Sequence, residues 1–165
     1  MSNTVNTIDP STGEKIAEYQ LLSQEQASAA IDRADAAFQA WRLESFANRG
    51  KVLNKMADLI EQHSDELAQL MTREMGKPID QGGQECQLCA AICRYSAEQG
   101  PDQLADETRP LEGGRALISY QPIGVILGIQ PWNFPLYQVI RYSACNIMAG
   151  NTTVLKHASN VFGMA

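Results

Sequence analysis

The chain has 165 residues, enough for one domain with a buried core. Its formal net charge is −6, from 19 acidic and 13 scattered basic residues, which excludes nucleic acid as an expected partner. The first twenty residues hold no apolar signal segment, no apolar run approaches the roughly 18 residues of a membrane span, and four cysteines without a secretory signal read as free thiols in a reducing, cytoplasmic setting.

In chain order, Thr4–Ile8 and Lys15–Gln20 flank the turn formers Asp9-Pro10-Ser11-Thr12-Gly13, the pattern of a hairpin. Ser23 with Gln26 three residues on resembles a capping box, and Ala27, Ala30, Ile31, Ala34, Phe38 and Trp41 follow at helical spacing. A second helix is expected from Asn48 to about Gln62. Ser64 is expected to cap a third, which Gly76-Lys77-Pro78 should stop. A fourth is expected from about Asp80 to Gln99, ending at Gly100-Pro101.

Beyond Pro101 the texture changes. Residues 102–114 read as a polar loop. Arg115–Gln121 alternates and reads as a strand with a solvated or partner-facing side. Val125–Ile129 reads as a parallel strand covered on both faces. A Pro-bracketed loop, a helix from Leu136 to Met148 closing at Gly150-Asn151, and a strand over Thr152–Lys156 complete one strand–helix–strand unit. One such unit cannot form a covered parallel sheet, so the expected class is α/β with an incomplete Rossmann-like sheet behind a helical region.

The candidate site falls where the first parallel strand ends. In open α/β sheets, ligands bind outside the carboxyl ends of the strands. The fingerprint G-x-G-x-x-G is absent. Trp132 and Phe134 read either as core aromatics or as part of a functional loop in which Asn133 turns its amide toward a developing oxyanion. Lys156 ends the second strand and should emerge on the same edge as Asn133.

Pro131-Trp132-Asn133-Phe134-Pro135, then Ala149-Gly150-Asn151 and Leu155-Lys156, resemble the aldehyde dehydrogenase superfamily. Asp9-Pro10-Ser11-Thr12-Gly13-Glu14 looks like the family's opening turn. Thr72-Arg73-Glu74-Met75-Gly76-Lys77-Pro78 is similar to the form found in succinate-semialdehyde dehydrogenases. The resemblance covers nearly the whole chain. It implies NAD(P)-dependent oxidation of a small aldehyde by the parent enzyme, with Asn133 stabilising the oxyanion, Lys156 contacting the adenosine ribose, and Ile129, Pro131 and Trp132 lining the cofactor. It also implies a homo-oligomer joined through the Arg115–Gln121 strand. The division it suggests is 1–112, the helical part of the cofactor domain; 113–123, the oligomerisation strand; and 124–165, the start of the NAD(P)-binding unit. NAD-preferring members often carry Glu three residues after the lysine. Ser159 stands there, which removes repulsion of a 2′-phosphate and points to NADP or dual use. His157, where the family commonly has Pro, reads as a solvated loop histidine.

The resemblance places the nucleophilic cysteine and the glutamate base downstream of Lys156, beyond Ala165, so this chain is expected to be inactive alone. Cys145, among Ala144, Ile147 and Met148, reads as a small hydrophobe. Cys86, Cys89 and Cys93 at i, i+3, i+7 read as one packed helix face rather than a metal site. Glu61, Asp65 and Glu66 read as capping and solvated charge. The competing expectation is a non-catalytic protein that docks through its unfinished sheet edge. An acylating dehydrogenase or a phosphate-releasing reductase is a third, and the P-W-N-F-P form argues against the reductase.

Overall fold

Turn chemistry sets the start of the chain. The computed structural model describes residues 3–165. Strands β1 (Thr4–Ile8) and β2 (Lys15–Gln20) pair antiparallel around the Asp9–Gly13 turn. Asp9 Oδ1 accepts from the backbone N–H and the hydroxyl of Ser11 at 2.8 and 2.6 Å. Gly13 adopts φ +76°, where a side chain would be strained.

Helix α1 (Gln24–Trp41) begins with the capping box read from sequence: Gln26 N–H donates to Ser23 Oγ and Ser23 N–H donates to Gln26 Oε1. Helix α2 (Phe46–Gln62) begins two residues before the expected start and is capped by Ser45, whose Oγ accepts from the Asn48 N–H. Helix α3 (Ser64–Met75) differs from expectation at its first residue. His63 closes α2 and opens α3 at once, so Ser64 lies already inside the helix and caps nothing. Gly76 ends α3 in the left-handed conformation, as anticipated.

Helix α4 (Ile79–Gln103) runs through Gly100-Pro101 instead of stopping there. Proline removes one hydrogen bond, a modest loss so near the carboxyl end. Gly100 serves a neighbour: a Cβ there would collide with Met148. Helix α4 packs against α2, α3 and the later α5 (Pro135–Ala149), and the core lies between these four. Cys86, Cys89 and Cys93 lie fully buried on the α4 face, which bears out the packed-face reading. Arg94 bridges α4 to α2 by paired hydrogen bonds to Glu61 at 2.9 and 2.8 Å and one to Asp58 at 2.9 Å. Glu61 is thus a partner of Arg94 and not simply a solvated charge.

The stretch read as a polar loop contains a strand. β3 (Glu107–Leu111) pairs antiparallel with β4 (Gly114–Ile118). Its charges and Pro110 disguised it, since nothing on this hairpin is buried by the rest of the chain: every residue from 108 to 121 is exposed. The second strand ends at Ile118 and not at Gln121.

Strands β5 (Val125–Ile129) and β6 (Thr152–Lys156) pair in parallel, joined through α5, as the strand–helix–strand reading required. Gly150 closes α5 at φ +94°. Contrary to expectation, β5 is not covered on both faces. Gly128 is buried against the ring of Tyr142, whereas Leu127 and Ile129 are 60% and 69% exposed. Helix α1 is tied to this unit by Thr152 Oγ1 donating to the Ala34 carbonyl and Trp41 Nε1 donating to that of Ile147, at 2.9 and 3.0 Å. The result is a mixed α/β structure with a two-stranded parallel sheet. Among the described residues, no helix is long and apolar enough to cross a membrane.

Candidate functional site

The register of two strands brings the first candidates together. Ile129 and Lys156 are paired residues at the carboxyl ends of β5 and β6. The Gln130 N–H donates to the Lys156 carbonyl at 3.1 Å, which extends the ladder one step into the loop. Pro131, Trp132 and Asn133 follow in an exposed loop that leaves from this edge and enters α5 at Pro135. Trp132 is 51% exposed and Phe134 is comparably open, so neither is a core aromatic. Asn133 makes no hydrogen bond among the described residues, and Lys156 no ion pair. Ser159, also exposed, opens a short 3-10 helix over Ser159–Met164, three positions beyond Lys156. The edge therefore presents an amide, an ammonium, a hydroxyl and an indole to solvent. Such a set can bind phosphate, ribose and a polarised carbonyl.

Behind this exposed edge stand a buried ion pair that the sequence reading did not single out and a histidine that it misread, and a third buried group closes the far end of α5. Pro135 has no N–H, and Phe134 offers α5 no side-chain cap. Glu85 of α4 supplies the missing acceptor: its Oε1 takes the N–H groups of Leu136 and Tyr137, both at 2.9 Å. Its Oε2 is paired with the Lys77 ammonium, and both side chains are at most 5% exposed. Lys77 also lies 3.9 Å from the centroid of the Phe134 ring, a cation–π contact out of water. The signal was available. Gly82, Glu85, Cys86, Cys89 and Cys93 share the buried face of α4, and a carboxylate on such a stripe demands a partner.

His157 is the second, and here the solvated-histidine reading is corrected: the residue is 2% exposed. Its Nδ1 accepts from the Ala158 N–H at 2.8 Å, so Nε2 carries the proton and donates to the Pro135 carbonyl at 2.8 Å. Burial holds its pKa below the ordinary histidine value; the Pro135 hydrogen bond opposes this, and the Lys156 charge adds to it. The third, at the opposite end of α5, is Arg49, on the α2 face that carries Leu53, Ala57 and Ile60. It donates to the carbonyls of Met148 and Arg42 at 3.0 and 2.9 Å and so clamps the carboxyl ends of α5 and α1. Burial lowers its pKa.

None of the four thiols is placed as a nucleophile. Burial raises the pKa of Cys86, Cys89 and Cys93, that of Cys93 to about 11. Cys145, expected to be a small buried hydrophobe, is exposed on the outer side of α5. Its Sγ rests on the Arg141 and Tyr142 carbonyls, 3.5 and 3.4 Å away, with no base beside it.

The model of the aldehyde dehydrogenase family matches residues 1–165. The chain belongs to that family. This aldehyde dehydrogenase chain is 46% identical over 157 residues to a probable succinate-semialdehyde dehydrogenase [NADP(+)] of Synechocystis, which covers 95% of the chain and 35% of that relative. It superposes on succinic semialdehyde dehydrogenase from Streptococcus pyogenes, solved in complex with NADP+, with a TM-score of 0.94 and 33% identity over 98% of this chain and 36% of that one. A NAD-dependent benzaldehyde dehydrogenase from Corynebacterium glutamicum matches with a TM-score of 0.88 and 29% identity, covering 96% and 35%. The aldehyde dehydrogenase chain thus spans about a third of the length of the relatives it matches. A cleft of about 490 Å³ between Arg42, Phe46, Arg49 and Tyr120 lies apart from the β5–β6 edge, and none of Ile129, Pro131, Trp132, Asn133, Lys156 and Ser159 lines it.

Proposed function

We propose that this chain forms the amino-terminal part of an NADP-using aldehyde dehydrogenase that oxidises a small aldehyde, succinate semialdehyde foremost, to its acid. The observation that carries the reading is the pairing of Ile129 with Lys156 at one strand edge, with the Asn133 loop leaving from it. In this reading Ile129, Pro131 and Trp132 line the cofactor, Lys156 holds its ribose or phosphate oxygens, and Asn133 donates to the oxyanion that forms on the aldehyde carbon. The donor set fits the dinucleotide. Lys156 is an exposed cation with no carboxylate partner among the described residues, and residues 157–165 include no acid to repel a 2′-phosphate near Ser159. The bound dinucleotide supplies the hydride acceptor. The names of the relatives support NADP and a semialdehyde; the benzaldehyde enzyme keeps NAD as the alternative cofactor.

Residues 1–165 alone do not complete the chemistry in this reading, because no cysteine here has the exposure and neighbouring base of an attacking thiolate. Residues 1–112 then serve as the helical support, 113–123 as part of an oligomerisation element and 124–165 as the start of the cofactor-binding unit, in a cytoplasmic homo-oligomer. The test is turnover. The complete enzyme should reduce NADP with succinate semialdehyde, and the isolated 165-residue chain should not. Turnover by the isolated chain, or a complete enzyme inert toward aldehydes with both cofactors, would overturn the reading.

A second reading is favoured by one observation. The β3–β4 hairpin is exposed from Thr108 to Ile118 and carries Leu111, Leu117 and Ile118 open to solvent. A non-catalytic protein could use it to dock a partner. An isolated chain that associates through this hairpin and binds no dinucleotide would favour that role.

A further inference from the structure

The candidate oxyanion donor stands on a loop, and loops hold a side chain only as well as their anchors do. Asn133 is followed at once by Phe134, whose ring lies against the Lys77 ammonium. Two residues further on, the first free N–H groups of α5 end on Glu85. Lys77 and Glu85 are themselves an ion pair shut away from water. Every contact in this series is either charged or buried, and none is supplied by a neighbour in sequence: Glu85 lies 51 residues before Leu136.

We propose that Glu85 and Lys77 are positioning residues for Asn133, fixing the amide by capping α5 from α4 and by clamping the Phe134 ring. The proposal rests on the dehydrogenase reading above only for Asn133's role; the clamp itself is independent of it. The carboxylate acts as an acceptor for two backbone N–H groups, and the ammonium neutralises it and holds the ring. Removing the acceptor frees the first turn of α5, and with it the residue that precedes the ring by one place. A displacement of about 1 Å at a catalytic group can cost on the order of 100-fold in rate.

The test uses the complete dehydrogenase and three substitutions, Glu85→Gln, Glu85→Leu and Asn133→Ala, each checked for melting temperature and cofactor binding. Asn133→Ala should lower kcat by ~100- to 1000-fold, as loss of an oxyanion donor does. Glu85→Leu should lower kcat by ~10- to 100-fold with little change in the KM for NADP. Glu85→Gln, which keeps an acceptor oxygen, should recover most of that loss. The loss from Glu85→Leu should shrink to under about threefold when Asn133 is already Ala, because both changes then act on one interaction. If Glu85→Leu fails to fold, Lys77→Met with Glu85→Leu replaces it, because this pair removes the acceptor without leaving the ammonium buried alone. Independently of activity, amide exchange of residues 136–138 should quicken in Glu85→Leu and stay near the parent rate in Glu85→Gln.

Losses that multiply in the double variant, or unchanged exchange at 136–138, would overturn the proposal. An Asn133→Ala enzyme with full kcat would instead sink the assigned role of Asn133, while faster exchange in Glu85→Leu would still establish the clamp.

Discussion

Nε2 of His157 donates to the carbonyl of Pro135 at 2.8 Å, and its Nδ1 accepts from the next backbone N–H. One neutral ring therefore ties the segment after β6 to the first turn of α5. Protonation would place a second proton on Nδ1 against the Ala158 N–H. The folded-state pKa is lowered, so folding is fully supported above the unfolded value of about 6.5. Support should fall as pH drops from there toward the lower folded-state value, because the unfolded chain binds the proton first. Melting temperature followed from pH ~7.5 to ~5 should show a slope that His157→Gln reduces. Equal slopes would remove the histidine from the account. His157→Ala, which strands both partners, should cost about 1–3 kcal/mol at neutral pH.

The buried pair makes an asymmetric prediction about stability. Glu85→Ala leaves the Lys77 ammonium buried without a counter-charge and should destabilise the fold by about 3–5 kcal/mol. Removing both charges together, with Lys77→Met and Glu85→Leu, should cost much less than that single change, because only the α5 amide hydrogens then lose their acceptor. Denaturant unfolding of the two variants measures the difference. A double variant weaker than Glu85→Ala would mean that the pair stabilises in its own right.

Ser159 opens the turn after Lys156 and is exposed. In the complete enzyme, Ser159→Glu should shift the ratio of kcat/KM for NADP over NAD downward by about 10- to 100-fold, through repulsion of the 2′-phosphate. The steady-state ratio for both cofactors is the measurement. A ratio that does not move would show that phosphate selection resides elsewhere.

Thiol labelling separates the cysteines without any assay of activity. With a neutral alkylating reagent, the folded 165-residue chain should take one label, on Cys145, since Cys86, Cys89 and Cys93 are buried with their pKa values raised. Denaturant should admit the other three. Rapid labelling of Cys89 in the folded chain would contradict the packing of α4.

Periodicity and punctuation made much of the fold legible beforehand. The capping box at Ser23, the glycine stops at Gly76 and Gly150, and the run Val125–Lys156 each depend on neighbours in sequence. The misjudged places depend on distant ones. Gly100-Pro101 looked like a terminator, yet the glycine makes room for Met148. Residues 107–111 looked like a loop because a fully exposed strand needs no apolar alternation. At the site, the edge carrying Ile129 and Lys156 followed from strand ends alone. Glu85 was missed and His157 misread as solvated because their partners lie 51 and 22 residues away, and no local pattern announces such bonds.

The first turn of α5 leans on an acceptor that its own sequence lacks, and this has a consequence for the order of assembly. Residues 135–149 taken alone have neither a local side-chain cap nor enough length to sustain a helix well in water. Helix α5 gains a firm beginning only once α4 is in place to receive it. The Asn133 loop is thus a late-setting part of the molecule, and loosening among the helices behind it should blur the loop's shape while most of the helical signal survives.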